Sequence, residues 1–362
     1  MRRALSLAER AFGRTAPNPL VGAVLVKDGE IVGEGYHRRA GMPHAEVEAL
    51  RDAGEAARGA TAYVTLEPCS HFGRTPPCTH ALIDAGVREV VYAAGDPNPL
   101  VSGRGVEQLR AAGVAVRNSI CHDEATALNR PFFKFIQTKM PFITAKFGMT
   151  LDGKIATASG DSKWITNAAA REQGHRLRNV SDAIVVGVGT VLADDPSLTT
   201  RLSDTSDVRH PVRVVVDTHA RTPVSAKLVS GGLPGRTVLA ATEKADESNL
   251  DALRAHGVEV WVLPLDSAER VDLTALLHKL GENELVNVMV EGGGTLLGSL
   301  LELGQIDRVW AFIAPKIVGG IDAPTPFGGA GIGRLSEAYN LEITSVKQLD
   351  GDIWIEGEKK RG

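Results

Sequence analysis

Short runs of strand-forming residues alternate with helix-forming segments along most of the chain, and this alternation restricts the fold more than any other feature. In the first third, the strand-like runs TAYVTLEP and EVVYAAGDP alternate with the helix-like runs CTHALIDAGV and GRGVEQLRAAGV. Alternation of this kind predicts an α/β layer with several parallel strands. A hairpin precedes the layer, because Asp28-Gly29 joins two strand-like runs.

The chain has 362 residues, a length typical of two or three domains. The pattern changes near residue 140, where a polar helix ends and the strand-like run PFITAKFGMT begins. Strands and helices alternate again after this point, and the final strands favour antiparallel pairing at a sheet edge. We expect DAIVVGVGTVLADDP to be a buried strand that leads into a loop. The sequence thus predicts two α/β domains, at residues 1–140 and 141–362.

Charge and composition exclude several partners. The net charge is −4, so the chain as a whole is not attracted to nucleic acid or to an anionic membrane. No apolar run approaches the roughly 20 residues that span a bilayer, and the N-terminal stretch is typical of a helix rather than a signal peptide. With only three cysteines, a disulfide framework is not expected, and a cytoplasmic location fits best. We expect neither a nucleic-acid partner nor a membrane partner.

Four residues of the first domain have the chemistry of a catalytic zinc site. His44 opens a predicted helix, and Cys69 and Cys78 each follow a proline. A catalytic zinc takes three nitrogen, sulfur or oxygen ligands from the protein and keeps one position open for water. Glu46 stands two residues after His44. A carboxylate there can take a proton from water and pass it to a leaving amine.

Other interpretations of these residues stay open at the level of sequence. The two cysteines could be buried thiols without a metal. The zinc could instead be structural, with His71 or His80 as a fourth ligand. Glu46 could be a solvated residue in the first turn of its helix. The position of the His-Ala-Glu after a hairpin, and of the cysteines after a strand, favours the catalytic site.

The arrangement resembles the zinc nucleobase deaminases, in which a His-x-Glu motif is followed by two cysteines and the glutamate does not bind the metal. It departs from them in spacing, because eight residues rather than two separate the cysteines. The segments EPCSHFGRTPPC and TAPNPLVGAVLV resemble the N-terminal half of the bifunctional riboflavin-biosynthesis deaminase-reductases. Together with the His-Ala-Glu, these are three matches in the right order.

The resemblance implies a cytidine-deaminase-like αβα domain that acts on a phosphorylated ribosyl pyrimidine. By resemblance, Asn18 and His37 would contact the pyrimidine or the ribose, and Arg74, between the cysteines, would bind the phosphate. A guanidinium can bind phosphate through two parallel hydrogen bonds, which agrees with this role for Arg74. The implied reaction is hydrolysis of the exocyclic amine, which releases ammonia and leaves a uracil-type ring.

Two glycine-rich turns in the second domain could cradle a pyrophosphate through backbone N–H groups. They lie in VVGVGTVLADDP and VMVEGGGTLLGSLL. Neither has the strict G-x-G-x-x-G spacing, because Leu192 and Leu297 stand at the third glycine position, so an ordinary Rossmann domain is not supported. From the residues alone, a tight structural turn explains each of them as well as a cofactor loop does.

Three segments resemble the reductase half of the same family: AKFGMTLDGKIATASGDSKWIT, VGVGTVLADDPSLTTR and EGGGTLLGSLL. The resemblance implies a dihydrofolate-reductase-like α/β domain that binds NADPH across the carboxyl ends of its strands. The implied dinucleotide contacts are Gly148, Trp164, Thr190, Asp194, Thr218, Gly293, Gly294, Thr295, Leu296, Leu297, Gly298 and Ser299. The implied substrate contacts are Lys146, Ser162, Arg178, Leu198, Arg201 and Glu291. Within the second set, Arg178 and Arg201 would bind phosphate and Lys146 would orient the ribose.

The implied second reaction is hydride transfer from NADPH to the ribose carbon that is attached to nitrogen, which opens the sugar into a ribityl chain. Selectivity for NADPH over NADH requires a cation near the 2′-phosphate. The sequence offers several, including Arg221, and does not select one. The resemblance also implies a homo-oligomer that pairs through the reductase domain.

Three rival functions are compatible with parts of this pattern. A nucleic-acid deaminase would share the zinc core, but the net charge of −4 argues against it. A zinc-stabilised binding module without catalysis would hold an inert, four-coordinate metal. An active deaminase could also carry a second domain that has lost its activity.

Overall fold

The computed structural model describes residues 1–70, 77–98, 103–205 and 207–360. Contacts within the chain divide it into two compact units, Met1–Met140 and Pro141–Gly362. Across the described ranges, every helix is too short or too polar to cross a lipid bilayer.

The first unit is built on a mixed sheet. Its strands in the described residues are β1 (Gly22–Lys27), β2 (Glu30–Tyr36), β3 (Thr61–Leu66), β4 (Glu89–Ala94) and β5 (Ala115–Arg117). The order is β2-β1-β3-β4-β5, with β1 antiparallel to both neighbours and β3, β4 and β5 parallel. The predicted hairpin and the predicted parallel strands are confirmed. The hairpin turns at Asp28-Gly29, where both residues have positive φ.

Helices cover both faces of this sheet. Those in the described part of the unit are α1 (Arg2–Glu9), α2 (Ala45–Ala53), α3 (Cys78–Asp84), α4 (Arg104–Ala111), α5 (His122–Leu128) and α6 (Arg130–Thr138). A Cβ at Gly35 of β2 would lie 2.4 Å from the backbone nitrogen of Ala49, so α2 lies directly on the hairpin. A Cβ at Gly22 would lie 1.9 Å from the carbonyl oxygen of Ala4, so α1 is equally close on the opposite face.

The second unit contains a larger sheet. Its described strands are β6 (Phe142–Thr150), β7 (Ala183–Gly187), β8 (Val212–Val216), β9 (Thr237–Ala241), β10 (Glu259–Val262), β11 (Asn287–Glu291), β12 (Arg308–Ala314), β13 (Leu341–Leu349) and β14 (Asp352–Lys359). The order is β10-β9-β8-β7-β11-β6-β12-β14-β13. The strands from β10 to β12 are parallel, and β14 and β13 are antiparallel, so the predicted antiparallel edge is confirmed.

The helices of the second unit in the described ranges are α7 (Ala168–Val180), α8 (Val188–Asp194), α9 (Lys227–Ser230), α10 (Glu247–Ala255), α11 (Leu273–Glu282) and α12 (Gly294–Glu302). The expectation of a loop after β7 is wrong, because α8 begins directly at the end of that strand. Val188 and Val191 lie one turn apart and are both buried, which holds this short segment against the sheet as a helix.

The parallel strands of the second unit place several of its predicted site residues at one end of the sheet. Neighbouring parallel strands end on the same side, and the segments that follow them therefore gather there. Helix α8 follows β7 directly, the segment after β8 begins with Asp217, and β11 ends at Glu291 before α12. Apolar clusters cover both faces of the sheet and fix these strand ends.

Candidate active sites

In the first unit, His44, Cys69 and Cys78 converge from three separate elements. His44 is the residue before α2, Cys69 follows β3, and Cys78 opens α3. The Nδ1 atom of His44 lies 3.2 Å from Cys78 Sγ and 3.6 Å from Cys69 Sγ, and the three ligand atoms all lie within 4.8 Å of one another. Ligand atoms around a tetrahedral zinc are separated by about 3.5 to 3.8 Å. The donor set and its spacing therefore fit zinc.

The two thiols are not equivalent. The backbone N–H of Cys78, at the start of α3, donates to Cys69 Sγ at 3.3 Å. A hydrogen bond from the Cys78 thiol, with a further contribution from His44, lowers the pKa of Cys69 to about 4. The same thiol hydrogen bond, together with burial, raises the pKa of Cys78. Thiolate is the form that binds zinc, so one ligand is ready at neutral pH and the other releases its proton on binding.

Glu46 lies in the first turn of α2, beside the three ligands but outside their cluster. Its side chain is 4% exposed, so it is not the solvated helix residue of the alternative interpretation. Burial, together with the charge of Cys69, raises the pKa of Glu46 to about 7. A carboxyl group with such a pKa can accept and return a proton near neutral pH.

Asn18 and His37 lie together beside His44. The rings of His37 and His44 meet edge to face, with centroids 5.3 Å apart. His37 Nδ1 donates to the carbonyl oxygen of Pro43 at 3.0 Å, and its Nε2 accepts from Asn18 Nδ2 at 3.0 Å. Burial lowers the pKa of His37, which favours the neutral ring that this pattern requires. Both predicted substrate contacts therefore lie beside the candidate metal site.

The remaining predictions for this site concern the loop between the cysteines. Arg74, the predicted phosphate ligand, lies outside the described residues, and so does His71. His80 is exposed on α3 and is not a member of the cluster. Among the described residues, three ligands converge rather than four, as a catalytic zinc requires.

In the second unit, Glu291 is the centre of a charged cluster. Its Oε1 accepts from Lys146 Nζ at 2.7 Å, and its Oε2 accepts from Arg178 Nη2 at 2.6 Å. Arg178 also donates to the carbonyl oxygen of Thr199 at 3.1 Å, and Arg201 donates to Thr199 Oγ1 at 3.3 Å. Although burial opposes it, the charges of Arg178 and Lys146 hold the pKa of Glu291 well below its usual range. Four of the predicted substrate contacts thus form one network.

His175 belongs to the same cluster and was not predicted. Its Nδ1 is buried and has no hydrogen-bond partner among the described residues. Burial, with the nearby charge of Arg178, lowers the pKa of His175 to about 4, so the ring is neutral at pH 7. The spacing of three residues between His175 and Arg178 on α7 places both on one helix face, and this spacing was the signal available in the sequence.

Ser162, Trp164 and Asp194 lie on the segments that follow β6 and β7. Ser162 Oγ donates to Asp194 Oδ1 at 3.3 Å, which joins a predicted substrate contact to a predicted cofactor contact. The Trp164 side chain is 64% exposed, and the guanidinium of Arg171 lies 4.6 Å from its ring centroid. The Trp164 side chain therefore lies outside the core, and its exposed ring is available to a ligand.

The other predicted contacts of the second unit differ in their burial and in their neighbours. Leu198 is only 2% exposed and packs in the apolar core with a positive φ of 51°, so its side chain is not available for binding. Gly148 lies on β6, where a Cβ would be 3.0 Å from Thr166. Thr190 lies on α8, and a Cβ at Gly292 would be 3.1 Å from its hydroxyl. A side chain at Gly148 or Gly292 would therefore crowd the neighbouring threonine.

Packing requires two of the glycines of α12, one at its first position and one in its second turn. A Cβ at Gly298 would lie 2.1 Å from the carbonyl oxygen of Gly328, and a Cβ at Gly294 would lie 2.6 Å from that of Thr325. Gly293, in contrast, has no heavy atom within 4 Å of such a Cβ. Leu297 is fully buried in the core. Gly294 and Gly298 thus let α12 pack closely, whereas the space beside Gly293 is open.

A cavity of about 290 Å³ lies beside the N-terminal turns of α12. Four of the predicted cofactor contacts line it: Thr218, Thr295, Leu296 and Ser299. The other glycine-rich turn lines it as well, through Gly187, Val188 and Gly189. The first turns of α12 and the glycine-rich segment after β7 therefore border one cavity. A cavity with a helix N-terminus and accessible glycine backbone fits the phosphates of a dinucleotide.

Comparison with known proteins finds two families, one that matches part of the first unit and one that matches most of the second. Residues 1–94 match the family described as the cytidine and deoxycytidylate deaminase zinc-binding region. Residues 141–355 match the family described as the RibD C-terminal domain. The predicted order of a cytidine-deaminase-like domain and a reductase domain is confirmed.

Full-length relatives carry the same combination. The riboflavin biosynthesis protein RibD of Actinobacillus pleuropneumoniae is 48% identical over 98% of this chain and 93% of its own length. The structure of RibD from Acinetobacter baumannii superposes with a TM-score of 0.88 at 40% identity, covering 99% of this chain and 98% of that one. A diaminohydroxyphosphoribosylaminopyrimidine deaminase/5-amino-6-(5-phosphoribosylamino)uracil reductase from Thermotoga maritima gives a TM-score of 0.86 at 37% identity, covering 99% and 97%.

Proposed function

This chain belongs to the RibD family of riboflavin-biosynthesis enzymes, and from that premise we propose which of its residues carry each reaction. It is a bifunctional enzyme with a zinc-dependent deaminase activity and an NADPH-dependent reductase activity. The first activity removes ammonia from 2,5-diamino-6-(5-phosphoribosylamino)pyrimidin-4-one. The second reduces the ribosyl chain to ribityl, which gives 5-amino-6-(5-phosphoribitylamino)uracil. We assign the deaminase to residues 1–140 and the reductase to residues 141–362.

In the deaminase, His44, Cys69 and Cys78 would hold the zinc, whose Lewis acidity promotes attack by water when the ion is bound. The buried carboxyl of Glu46 accepts the proton of the attacking water and returns it to the departing amine. Asn18, held by His37, contacts the pyrimidine or the ribose. The observation that carries this assignment is the convergence of three zinc ligands beside a buried carboxyl group.

In the reductase, Arg178 and Arg201 bind the substrate phosphate, and Lys146 orients the ribose. The three cations of the cluster stand against the single carboxylate of Glu291, which leaves a net charge of two to match a phosphate dianion. Glu291 fixes Lys146 and Arg178 in place through direct ion pairs. NADPH supplies the hydride when it is bound. The protein's part is to position the sugar carbon against the cofactor and to hold the phosphate.

The sequence of the two reactions, ammonia release followed by NADPH oxidation, tests the bifunctional assignment. The purified full-length protein with zinc and the phosphoribosylated diaminopyrimidinone should release ammonia in the absence of NADPH. NADPH should then be oxidised only after the deaminated product has formed. Oxidation of NADPH with no ammonia release would contradict the deaminase activity. Ammonia release whose product is never reduced would contradict the reductase activity.

We also propose that the protein forms a homo-oligomer through its reductase domain. The edge strand β13 exposes Ile343 and Val346, and the preceding segments expose Ile321 and Leu335 to more than nine-tenths. Exposed apolar residues and an open sheet edge are typical of an interface. Sedimentation of the wild type and a Val346→Lys variant tests this, since the variant should shift toward the monomer. A monomeric wild type contradicts it.

A cytoplasmic location is proposed from the chemistry of the metal site. In the described residues, Cys69, Cys78 and Cys121 are free thiols, and two of them are candidate zinc ligands. Such thiols stay reduced in the cytoplasm. Cell fractionation tests this proposal, and recovery outside the cytoplasmic fraction contradicts it.

A further inference from the structure

The cavity beside α12 is lined by two arginines to which the reductase assignment gives no role. We infer that Arg221 and Arg270 together bind the 2′-phosphate of NADPH and so select NADPH over NADH. This inference rests on the proposed cofactor site in the cavity. It adds two specificity-determining residues to that site.

Arg221 belongs to a loop that a buried carboxylate holds in place. Asp217, the first residue after β8, is fully buried, and its Oδ2 accepts from the N–H and the hydroxyl of Thr222 at 2.7 and 2.8 Å. Arg221 approaches the other carboxylate oxygen only to 3.7 Å and forms no hydrogen bond to any described residue. Its guanidinium donors are therefore available to a ligand in the cavity.

Arg270 is held by a comparable loop on the other side of the cavity. Asp266 Oδ1 accepts from the backbone N–H of Arg270 at 2.8 Å, and Oδ2 accepts from its Nε at 3.3 Å. The next residue, Val271, donates its N–H to Thr218 Oγ1 at 3.3 Å. Because Thr218 follows Asp217 directly, this bond ties the two arginine-bearing loops together. The two guanidiniums are thus attached to one connected frame.

The charge of the cavity favours a phosphate. Its lining contains two guanidiniums and one carboxylate, that of Asp266, which pairs with Arg270. The carboxylate of Asp217 lies outside the lining and approaches Arg221 only to 3.7 Å, so Arg221 is the less neutralised of the two cations. A carboxylate after a strand can instead accept a hydrogen bond from a free ribose 2′-hydroxyl, as NAD-selective sites do. Here Asp217 stands in that position, but Thr222 occupies its Oδ2, and it is not part of the lining. The arrangement therefore favours a phosphorylated ribose.

Two small probes isolate the contact to the 2′-phosphate. Calorimetric titration of the full-length protein with 2′,5′-ADP and with 5′-AMP compares ligands that differ by this phosphate. We expect Arg221→Ala and Arg270→Ala each to weaken 2′,5′-ADP binding about ten-fold, and the double variant about a hundred-fold. Binding of 5′-AMP should stay within about two-fold.

Arg254→Ala is the matched control, because Arg254 pairs with acidic residues of its own helix, α10, and does not line the cavity. It should leave both affinities unchanged. Arg221→Lys provides a second variant that keeps the charge near buried Asp217, and it should weaken 2′,5′-ADP binding less than Arg221→Ala.

Three results would overturn the inference. Unchanged 2′,5′-ADP binding in the double variant removes the role of the two arginines. An equal loss of both probes shows a general effect on the cavity rather than recognition of the phosphate. A wild type that binds neither probe goes further and removes the cofactor site itself, so the two failures are distinguishable.

Discussion

At the scale of single residues, the deaminase site depends on how protons are distributed among neighbouring groups. The Cys78 thiol donates a hydrogen bond to Cys69, which lowers the pKa of Cys69 and raises that of Cys78. Cys69 is therefore the thiolate, and Cys78 keeps its proton until a metal ion displaces it. Glu46 is buried beside both, which keeps its carboxyl able to exchange a proton near pH 7. The protonation state of each of these three side chains therefore depends on the other two.

Loss of one sulfur should empty the metal site. We expect Cys69→Ser to reduce bound zinc from about one ion per chain to less than about one tenth, because a serine hydroxyl stays protonated and is a poor zinc ligand. Elemental analysis of the purified protein measures this. Cys121→Ser is the control, since Cys121 lies outside the cluster. Full zinc content in the Cys69→Ser protein would contradict the assignment.

His175 should make the reductase domain sensitive to acid. Its pKa is lowered from 6.5 to about 4, so its neutral form contributes stability that is present above pH 6.5 and is lost as the pH falls toward 4. Between pH 7 and 4, the wild type should lose about 1 to 2 kcal/mol more than His175→Gln, after allowance for screening of the half-exposed ring. Calorimetry across this range tests the difference, and parallel stability curves would contradict it.

Sequence patterns predicted the residues with strong chemical signatures and missed those defined by their surroundings. The convergence of His44, Cys69 and Cys78 could be predicted because a His-x-Glu motif followed by two cysteines is typical of a zinc site. Arg270 could not, because an arginine in a loop is ordinarily solvated. Tertiary contacts bring it to the cavity, among them the hydrogen bond between Val271 and Thr218 and those between Arg270 and Asp266.

At the scale of helices and strands, glycine determines how closely α12 packs against the segment that contains Gly328. Gly298 faces the backbone of Gly328, with no space for a side chain. The helix can therefore lie against this segment while its first turns line the cavity. Strand prediction succeeded because period-two and fully apolar runs are strong signals. The helix α8 was missed because its seven residues are too short for helical periodicity to show in the sequence.

A methyl group at position 298 should disturb this packing. The Cβ of Gly298→Ala would lie 2.1 Å from the Gly328 carbonyl oxygen, so α12 must shift. We expect the reductase domain to lose about 2 kcal/mol of unfolding free energy and to bind 2′,5′-ADP more weakly. Gly333→Ala is the control, because no heavy atom lies within 4 Å of its Cβ. Equal thermal stability of the two variants would show that the close contact is unimportant.

At the scale of the whole molecule, the chain joins two compact units that each contain their own site residues. The residues assigned to deamination all lie in the first unit, and those assigned to reduction all lie in the second. Each unit has its own sheet and its own apolar core. A substitution in one site should therefore leave the chemistry of the other intact.

The central claim is that a zinc site with Glu46 as its proton carrier performs the first reaction. Glu46→Gln in the full-length protein tests it with three readouts: bound zinc, ammonia release, and NADPH oxidation with the deaminated product as substrate. We predict about one zinc per chain, a fall of at least about a hundred-fold in ammonia release, and unchanged NADPH oxidation. Ammonia release at the wild-type rate from the zinc-loaded variant would contradict the account.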